Sequence, residues 1–170
     1  EHYSVNSTDD QYILWNNYYD YQFTNADKVD FFIVATDRQK EVLAAQFEKY
    51  TQHSPAIYTI PVGSLESLPQ KDSRKPFSLI TASRLATEKH IDWLVRAVVE
   101  AKKELPALSF DIYGKGGEEE KLRSLIEELG AMDYIQLKGH ADLAQIYPQY
   151  EVYLTASTSE GFGLTLMEAV

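Results

Sequence analysis

Near the end of the chain two glutamates, Glu160 and Glu168, stand with seven residues between them: Gly161, Phe162, Gly163, Leu164, Thr165, Leu166 and Met167. A carboxylate in a loop and a second one a turn into a helix can each accept hydrogen bonds from sugar hydroxyls. Glu160 can address hydroxyls, or positive charge developing on a transferred sugar. Glu168 can take a ribose diol, or act only as a helix glutamate whose charge suits the N-terminus. Gly161 and Gly163 allow backbone to approach a ligand closely. The amides near Leu164 and Thr165 open the helix, where unsatisfied N–H donors and the helix dipole favour an anion.

The cations that could meet the same anion lie in Ser83-Arg84-Leu85-Ala86-Thr87-Glu88-Lys89. Arg84 offers a planar fork to a diphosphate and Lys89 a point charge; a merely solvated loop is the alternative. Together with the helix start they make a phosphate clamp that needs no metal, and the sequence contains no Asp-x-Asp pair. Gly114-Lys115-Gly116-Gly117 is not a dinucleotide fingerprint, because the third glycine would fall at Glu119, and no P-loop pattern occurs. It reads as a tight strand-to-helix turn that could also border a nucleotide. Lys138-Gly139-His140-Ala141 follows a strand and can present backbone to a base, with His140 equally at home as a structural or solvent-facing residue.

These groups need elements to hold them. An amphipathic helix is predicted over residues 9–23, among the aromatics Tyr3, Tyr12, Trp15, Tyr18, Tyr19, Tyr21 and Phe23. Val29 to Thr36 reads as a strand, and Thr36 or Asp37 caps a helix with Leu43, Phe47 and Tyr50 on one face. Ala56 to Ile60 is the next strand, completing a βαβ unit with parallel pairing. Residues 64–76, polar with prolines at 69 and 76, read as a linker. Strands then follow at Phe77 to Ser83, Ser109 to Tyr113, Tyr134 to Lys138 and Val152 to Ala156. Helices are expected at His90 to Leu105, ended by Pro106, and around Leu122, Leu125, Ile126 and Leu129, closed by Gly130; a short one lies near Leu143 to Gln149.

Apolar runs separated by helices predict an α/β fold: a Rossmann-like, doubly wound parallel sheet covered on both faces. In the strand order 3-2-1-4 the first and fourth strands are neighbours with helices leaving in opposite directions, and ligands bind at that switch point. That topology sets Arg84 and Lys89 opposite Ser157 to Gly163.

The chain has 170 residues, 44% apolar and 25% charged, enough for one domain or parts of two. Its net charge of −10 argues against general nucleic-acid binding, whose affinity comes mostly from neutralising phosphates. The absence of cysteine excludes disulfides and thiolate metal sites. No apolar run reaches the roughly 18 to 20 residues that span a bilayer. A polar start without Met suggests a soluble piece of a longer chain.

Ser83-Arg84-Leu85 with Glu88-Lys89, the Asp111 to Gly116 turn, Lys138-Gly139-His140 and Glu160 to Ala169, taken jointly and in that order, resemble the retaining GT-B glycosyltransferases of family four. The resemblance covers residues 77–170, the first part of a nucleotide-sugar-binding domain. Residues 1–63 look like the last part of the acceptor-side Rossmann-like domain before it. The stretches Tyr12 to Phe23, Pro76 to Leu85 and Tyr153 to Glu160 extend the likeness over the chain, towards catalytic subunits that serve bacterial accessory secretion.

The resemblance implies that Arg84 and Lys89 hold the diphosphate and that His140 and Ala141 meet the nucleotide. Glu160, Gly161, Phe162 and Gly163 would take the donor sugar, with Glu160 catalytic, while Leu164 and Thr165 bind phosphate through backbone and Glu168 binds ribose. It further implies transfer of N-acetylglucosamine from UDP-GlcNAc to Ser/Thr of a serine-rich-repeat adhesin, with retention and with no cofactor or obligatory metal. The enzyme would work beside a partner subunit in the cytoplasm, with peripheral membrane association through the complex. A chain stopping inside the Glu168 helix is expected to be inactive by itself. Two other readings stay open: a noncatalytic GT-B-like subunit that binds a partner or acceptor, and a transferase acting on lipid or wall polysaccharide.

Overall fold

The computed structural model describes residues 4–5, 12–13, 23, 25–51, 53–63, 74–158, 160 and 163–169. The chain divides into two compact units, residues 1–63 with 159–163, and residues 64–158 with 164–170.

In the first unit, β1 (Ser4–Val5) pairs antiparallel with β2 (Tyr12–Ile13). Tyr12 and Ile13 are therefore strand and not part of the helix expected over residues 9–23; of the rest of that span only Phe23 is described, and it is helical. Tyr12 and Ile13 take their backbone partners from Val5 and Ser4. Of the aromatics in that stretch, Phe23 is buried, while Tyr3, Trp15, Tyr18, Tyr19 and Tyr21 lie outside the described residues.

The expected βαβ unit follows as β3 (Phe31–Val34), α1 (Asp37–Tyr50) and β4 (Ala56–Thr59), with parallel register from Phe31 opposite Ala56 to Val34 opposite Thr59. Thr36 starts the helix through a capping box. Its hydroxyl accepts from the Gln39 amide at 3.1 Å and the Gln39 side chain accepts from the Thr36 amide at 3.1 Å. Phe32, Val34 and Ile57 face α1 and pack on Leu43 and Phe47. The alternate positions Phe31, Ile33 and Tyr58 are more than half exposed.

The second unit is a four-stranded parallel sheet in the order β7 (Ile135–Gly139), β6 (Ser109–Tyr113), β5 (Ser78–Ala82), β8 (Val152–Tyr153). Numbered from its own first strand, this is the expected 3-2-1-4. One face packs on α2 (Ile91–Ala101) and α3 (Glu119–Glu128): Phe110 and Ile112 of β6 meet Leu94, Val95, Leu122 and Ile126. On the opposite face Ile80, Ala82 and Tyr113 pack with Tyr147, and Ala169 of α4 (Leu164–Ala169) joins them. Helical segments therefore cover both faces, as in a doubly wound Rossmann-like sheet.

Several boundaries differ from expectation. Helix α2 stops at Ala101, where the chain tightens into turns with Lys103 donating to Glu100 at 3.2 Å and Glu104 to Ala101 at 3.1 Å, and Leu105 before Pro106 is left 44% exposed. The helix near Leu143 to Gln149 is two 3₁₀ turns, Leu143–Gln145 and Tyr147–Gln149, with Pro148 denying an amide to a continuous α-helix. Strand β8 is short: after the Leu154 amide bonds the Ile80 carbonyl at 2.7 Å, no further strand pairing follows among the described residues. Gly130 closes α3 with φ 61°, the left-handed geometry expected of it. Of the expected linker, residues 64–73 lie outside the described set.

Candidate active site

The carboxyl ends of β5, β6 and β7 are sewn into one surface by backbone hydrogen bonds. The Ser83 amide donates to the Tyr113 carbonyl at 3.1 Å, Leu85 to Lys115 at 3.0 Å, and Gly114 to Gly139 at 2.8 Å. Such contact demands residues without side chains. A Cβ on Gly114 would lie 1.8 Å from the Ser83 carbonyl oxygen, and one on Gly116 would lie 2.2 Å from that of Leu85. The glycine turn is thus a packing device for the neighbouring loop, and it also borders a cavity.

That cavity, of about 380 Å³, opens at the strand ends. Ser83 and Arg84 line it from the loop after β5, Gly114 and Lys115 from the loop after β6, His140 and Ala141 from the loop after β7, and Thr165 from α4. A larger groove of about 610 Å³ lies between α2 and α3; it reaches the loop after β5 at Ala86, Thr87 and His90 but is lined mainly by helix residues of mixed charge such as Arg96, Lys121 and Glu128. The smaller cavity is the better candidate, because ligands in doubly wound sheets bind beyond the strand carboxyl ends.

Of the residues singled out in the sequence, Arg84, His140, Ala141 and Thr165 share this cavity. Arg84 is largely exposed and its guanidinium donates to Glu88 at 2.5 Å. Burial alone would raise the Glu88 carboxyl, but a backbone hydrogen bond, the bond and charge of Arg84 and the charge of Lys89 together hold it below its ordinary value. Lys89 sits half-buried in the single 3₁₀ turn Thr87–Lys89, outside the cavity lining. The Thr165 hydroxyl lies 2.9 Å from that of Tyr153, which donates to the Ala82 carbonyl at 3.1 Å, so α4 is tied to the end of β5. Leu164 starts α4 and is exposed; Glu168 is half-buried on it, and its charge, after burial and Tyr153, helps push the Tyr147 phenol above its usual range. Glu160 and Gly163 belong to the first unit. Glu160 is exposed, and Gly163 has φ 76°, a backbone state that favours glycine. Gly161 and Phe162 lie outside the described residues.

The loops after β5 and β8 meet as the topology requires, the Thr158 amide donating to the Glu88 carbonyl at 3.2 Å. The sequence marks the Asp111 to Gly117 turn as a possible border of a nucleotide but gives Lys115 and Tyr113 no role of their own, and the network beneath them is not legible in it. Tyr150 donates to Asp111 at 2.5 Å and lies 3.2 Å from the Tyr113 hydroxyl, while Lys138 stands 3.8 Å from Asp111. Burial, then Asp111 and Tyr113, push the Tyr150 phenol up, so it remains a donor at neutral pH. The available signal was Asp111 itself, a charge between Phe110 and Ile112 in a strand packed on both faces, which must find a partner. Tyr150→Phe strips Asp111 of its short bond and should lower stability by about 1–3 kcal/mol in a denaturant titration. An unchanged midpoint would show that the network contributes nothing.

A family model for glycosyl transferases group 1 matches residues 66–170, and the chain belongs to that family. The GtfA subunit of the UDP-N-acetylglucosamine–peptide N-acetylglucosaminyltransferase of Streptococcus pneumoniae is 75% identical over 171 aligned residues, covering all of this chain and 34% of that protein. The structure of pneumococcal O-GlcNAc transferase GtfA in complex with UDP and GlcNAc matches with TM-score 0.87 and 76% identity, over 99% of this chain and 34% of the other. That of a GtfA/B complex matches with TM-score 0.76 and 70% identity over the same shares. The chain spans about a third of the length of the curated relatives it matches.

Proposed function

We propose that this chain carries the nucleotide-sugar site of a retaining glycosyltransferase that moves N-acetylglucosamine from UDP-GlcNAc to Ser/Thr of a serine-rich-repeat adhesin. The supporting observation is the convergence of Arg84, His140, Ala141 and Thr165 on one strand-end cavity, in a chain so similar to a peptide N-acetylglucosaminyltransferase subunit.

In this reading Arg84 and Lys89 neutralise the diphosphate, helped by the amides of Leu164 and Thr165, while His140 and Ala141 meet the nucleotide and Glu168 the ribose. Glu160, Gly161, Phe162 and Gly163 hold the donor sugar. The bond from the anomeric carbon to the β-phosphate oxygen breaks, the acceptor hydroxyl oxygen joins that carbon from the same face, and its proton passes to the departing phosphate. Glu160 stabilises positive charge on the sugar without forming a covalent bond. We further propose that no metal is obligatory, that a GtfB-like partner subunit assists, and that the complex works in the cytoplasm at the inner face of the membrane during accessory secretion. Among the described residues no helix is long and apolar enough to cross a membrane.

The test is product mass from the full-length protein and its partner subunit, given UDP-GlcNAc and a Ser/Thr-rich peptide, with and without chelator. One N-acetylhexosamine per modified site is expected in both conditions. Transfer to lipid or polysaccharide instead of peptide would overturn the acceptor, and no transfer at all would leave a binding subunit. Glu160→Gln is expected to lower kcat on the order of 10²-fold, with UDP affinity nearly unchanged.

A further inference from the structure

His90 joins the 3₁₀ turn that carries Lys89 to helix α2, and its backbone is left-handed at φ 46°, ψ 43°. That state costs a residue with a Cβ about 1 kcal/mol or more, and is worth holding only where the side chain returns something. Helix capping is not the return, since the His90 side chain makes no cap hydrogen bond to α2. Its ring stacks on Trp93, with centroids 4.0 Å apart and planes at 19°. Held in that plane, Nε2 reaches the Thr158 hydroxyl at 3.3 Å, across 68 residues of sequence. Thr158 also donates to the Glu88 carbonyl twice, from its amide at 3.2 Å and from its hydroxyl at 3.4 Å. The hydroxyl either spends its proton on that carbonyl and accepts from Nε2–H, or donates to Nε2, according to the imidazole tautomer. Glu88 in turn holds Arg84.

We infer that His90 is a positioning residue. It holds Thr158, two residues before Glu160 in sequence, against the loop that carries Arg84 and Lys89, so that the two loops facing the donor move as one. The inference rests on the function proposed above for this site, and it supplies a residue that the sequence motifs passed over as the start of a helix. The three contacts to Thr158, at 3.2 to 3.4 Å, are long for hydrogen bonds. Their loss should therefore be felt in loop placement and turnover, and scarcely in folding.

Four variants of the full-length protein test this. His90→Gly relaxes the backbone and removes the ring; Thr158→Val removes the hydroxyl but keeps the amide bond to Glu88. His90→Gln sets an amide nitrogen where Nε2 stands, and the fourth combines His90→Gly with Thr158→Val. The first two are each expected to lower kcat about tenfold with UDP affinity and Tm unchanged. His90→Gln should recover most of the loss, and the double variant should be no worse than the poorer single one, because both break the same contact. Hydrogen exchange at the Thr158 amide, which needs no turnover, should be about tenfold faster in His90→Gly.

Unchanged exchange at Thr158 would overturn the inference whatever the kinetics show. So would wild-type kcat in either single variant, effects that multiply in the double variant, or a kcat loss accompanied by a matching fall in Tm. If the wild-type protein itself turns over no UDP-sugar, the proposed function falls, while the exchange measurement still decides whether His90 holds Thr158.

Discussion

Gly114→Ala is expected to lower Tm by roughly 8–16 °C and to abolish UDP binding. The added Cβ would sit 1.8 Å from the Ser83 carbonyl oxygen and 2.9 Å from its carbon, at a φ of +129° that side chains rarely adopt. Neither obstacle can swing aside, because both are backbone atoms of the loop continuing β5, and the Ser83 amide is itself bonded to Tyr113. Relief means parting the loops and weakening the bonds from Ser83 to Tyr113, Leu85 to Lys115 and Gly114 to Gly139. At about 1 kcal/mol per bond, with backbone strain of about 1–3 kcal/mol, the cost comes to about 4 kcal/mol or more. In a protein of ordinary domain size each kcal/mol shifts Tm by about 2–4 °C. Gly117→Ala is the control, since a Cβ there would meet nothing within 4 Å and a change within about 0.5 kcal/mol is expected. Thermal denaturation of both variants decides the matter, and a Gly114→Ala protein melting with the wild type would refute the close approach of the two loops.

Arg84→Ala is expected to weaken UDP binding by about 10- to 100-fold in calorimetry, with Tm little changed. The guanidinium is 69% exposed and pairs with Glu88 at the surface, and such pairs are worth about 0–1 kcal/mol. Arg84 thus gives up little by turning to, or sharing itself with, a diphosphate, whereas charge-assisted bonds to that ligand contribute about 1.5–3 kcal/mol. Arg84→Lys should recover only part of the affinity, for want of the planar fork. Glu88→Gln should leave affinity the same or slightly better. Acid cannot replace that last substitution in a neutral assay. The carboxyl is held below its ordinary 4.5, so the pair's contribution is complete above that value and fades only as pH falls through the lower, folded-state value. Equal UDP affinity in Arg84→Ala and wild type would remove the clamp from the site.

Much of the sheet was legible because its cues are short-range. The apolar run Phe77 to Ser83 and the stripe Ile91, Leu94, Val95 and Val98 each report their own periodicity, and Thr36 with Gln39 spells a cap within four residues. Alternating strands and helices then leave few topologies, of which 3-2-1-4 is the observed one. The hairpin partner of Tyr12–Ile13 was not legible, since an aromatic-rich polar stretch fits a helix as well as a strand until Ser4–Val5 lies beside it. Nor could the sequence state that β8 pairs for only two residues.

The sequence by itself determined the fold class and the residue types available for chemistry: the two glutamates, the cations of the Ser83 to Lys89 loop and the glycine turns. Only the tertiary structure decided which of them meet. It drew Arg84, His140, Ala141 and Thr165 to one cavity with Lys115 and left Lys89 beside it. It also showed that Gly114 and Gly116 make room for a neighbouring backbone, and it joined His90 to Thr158. The physical reason is range. Periodicity, capping and turn preference act between residues a few positions apart, whereas contacts spanning dozens of positions exist only once the sheet has brought its loop ends together.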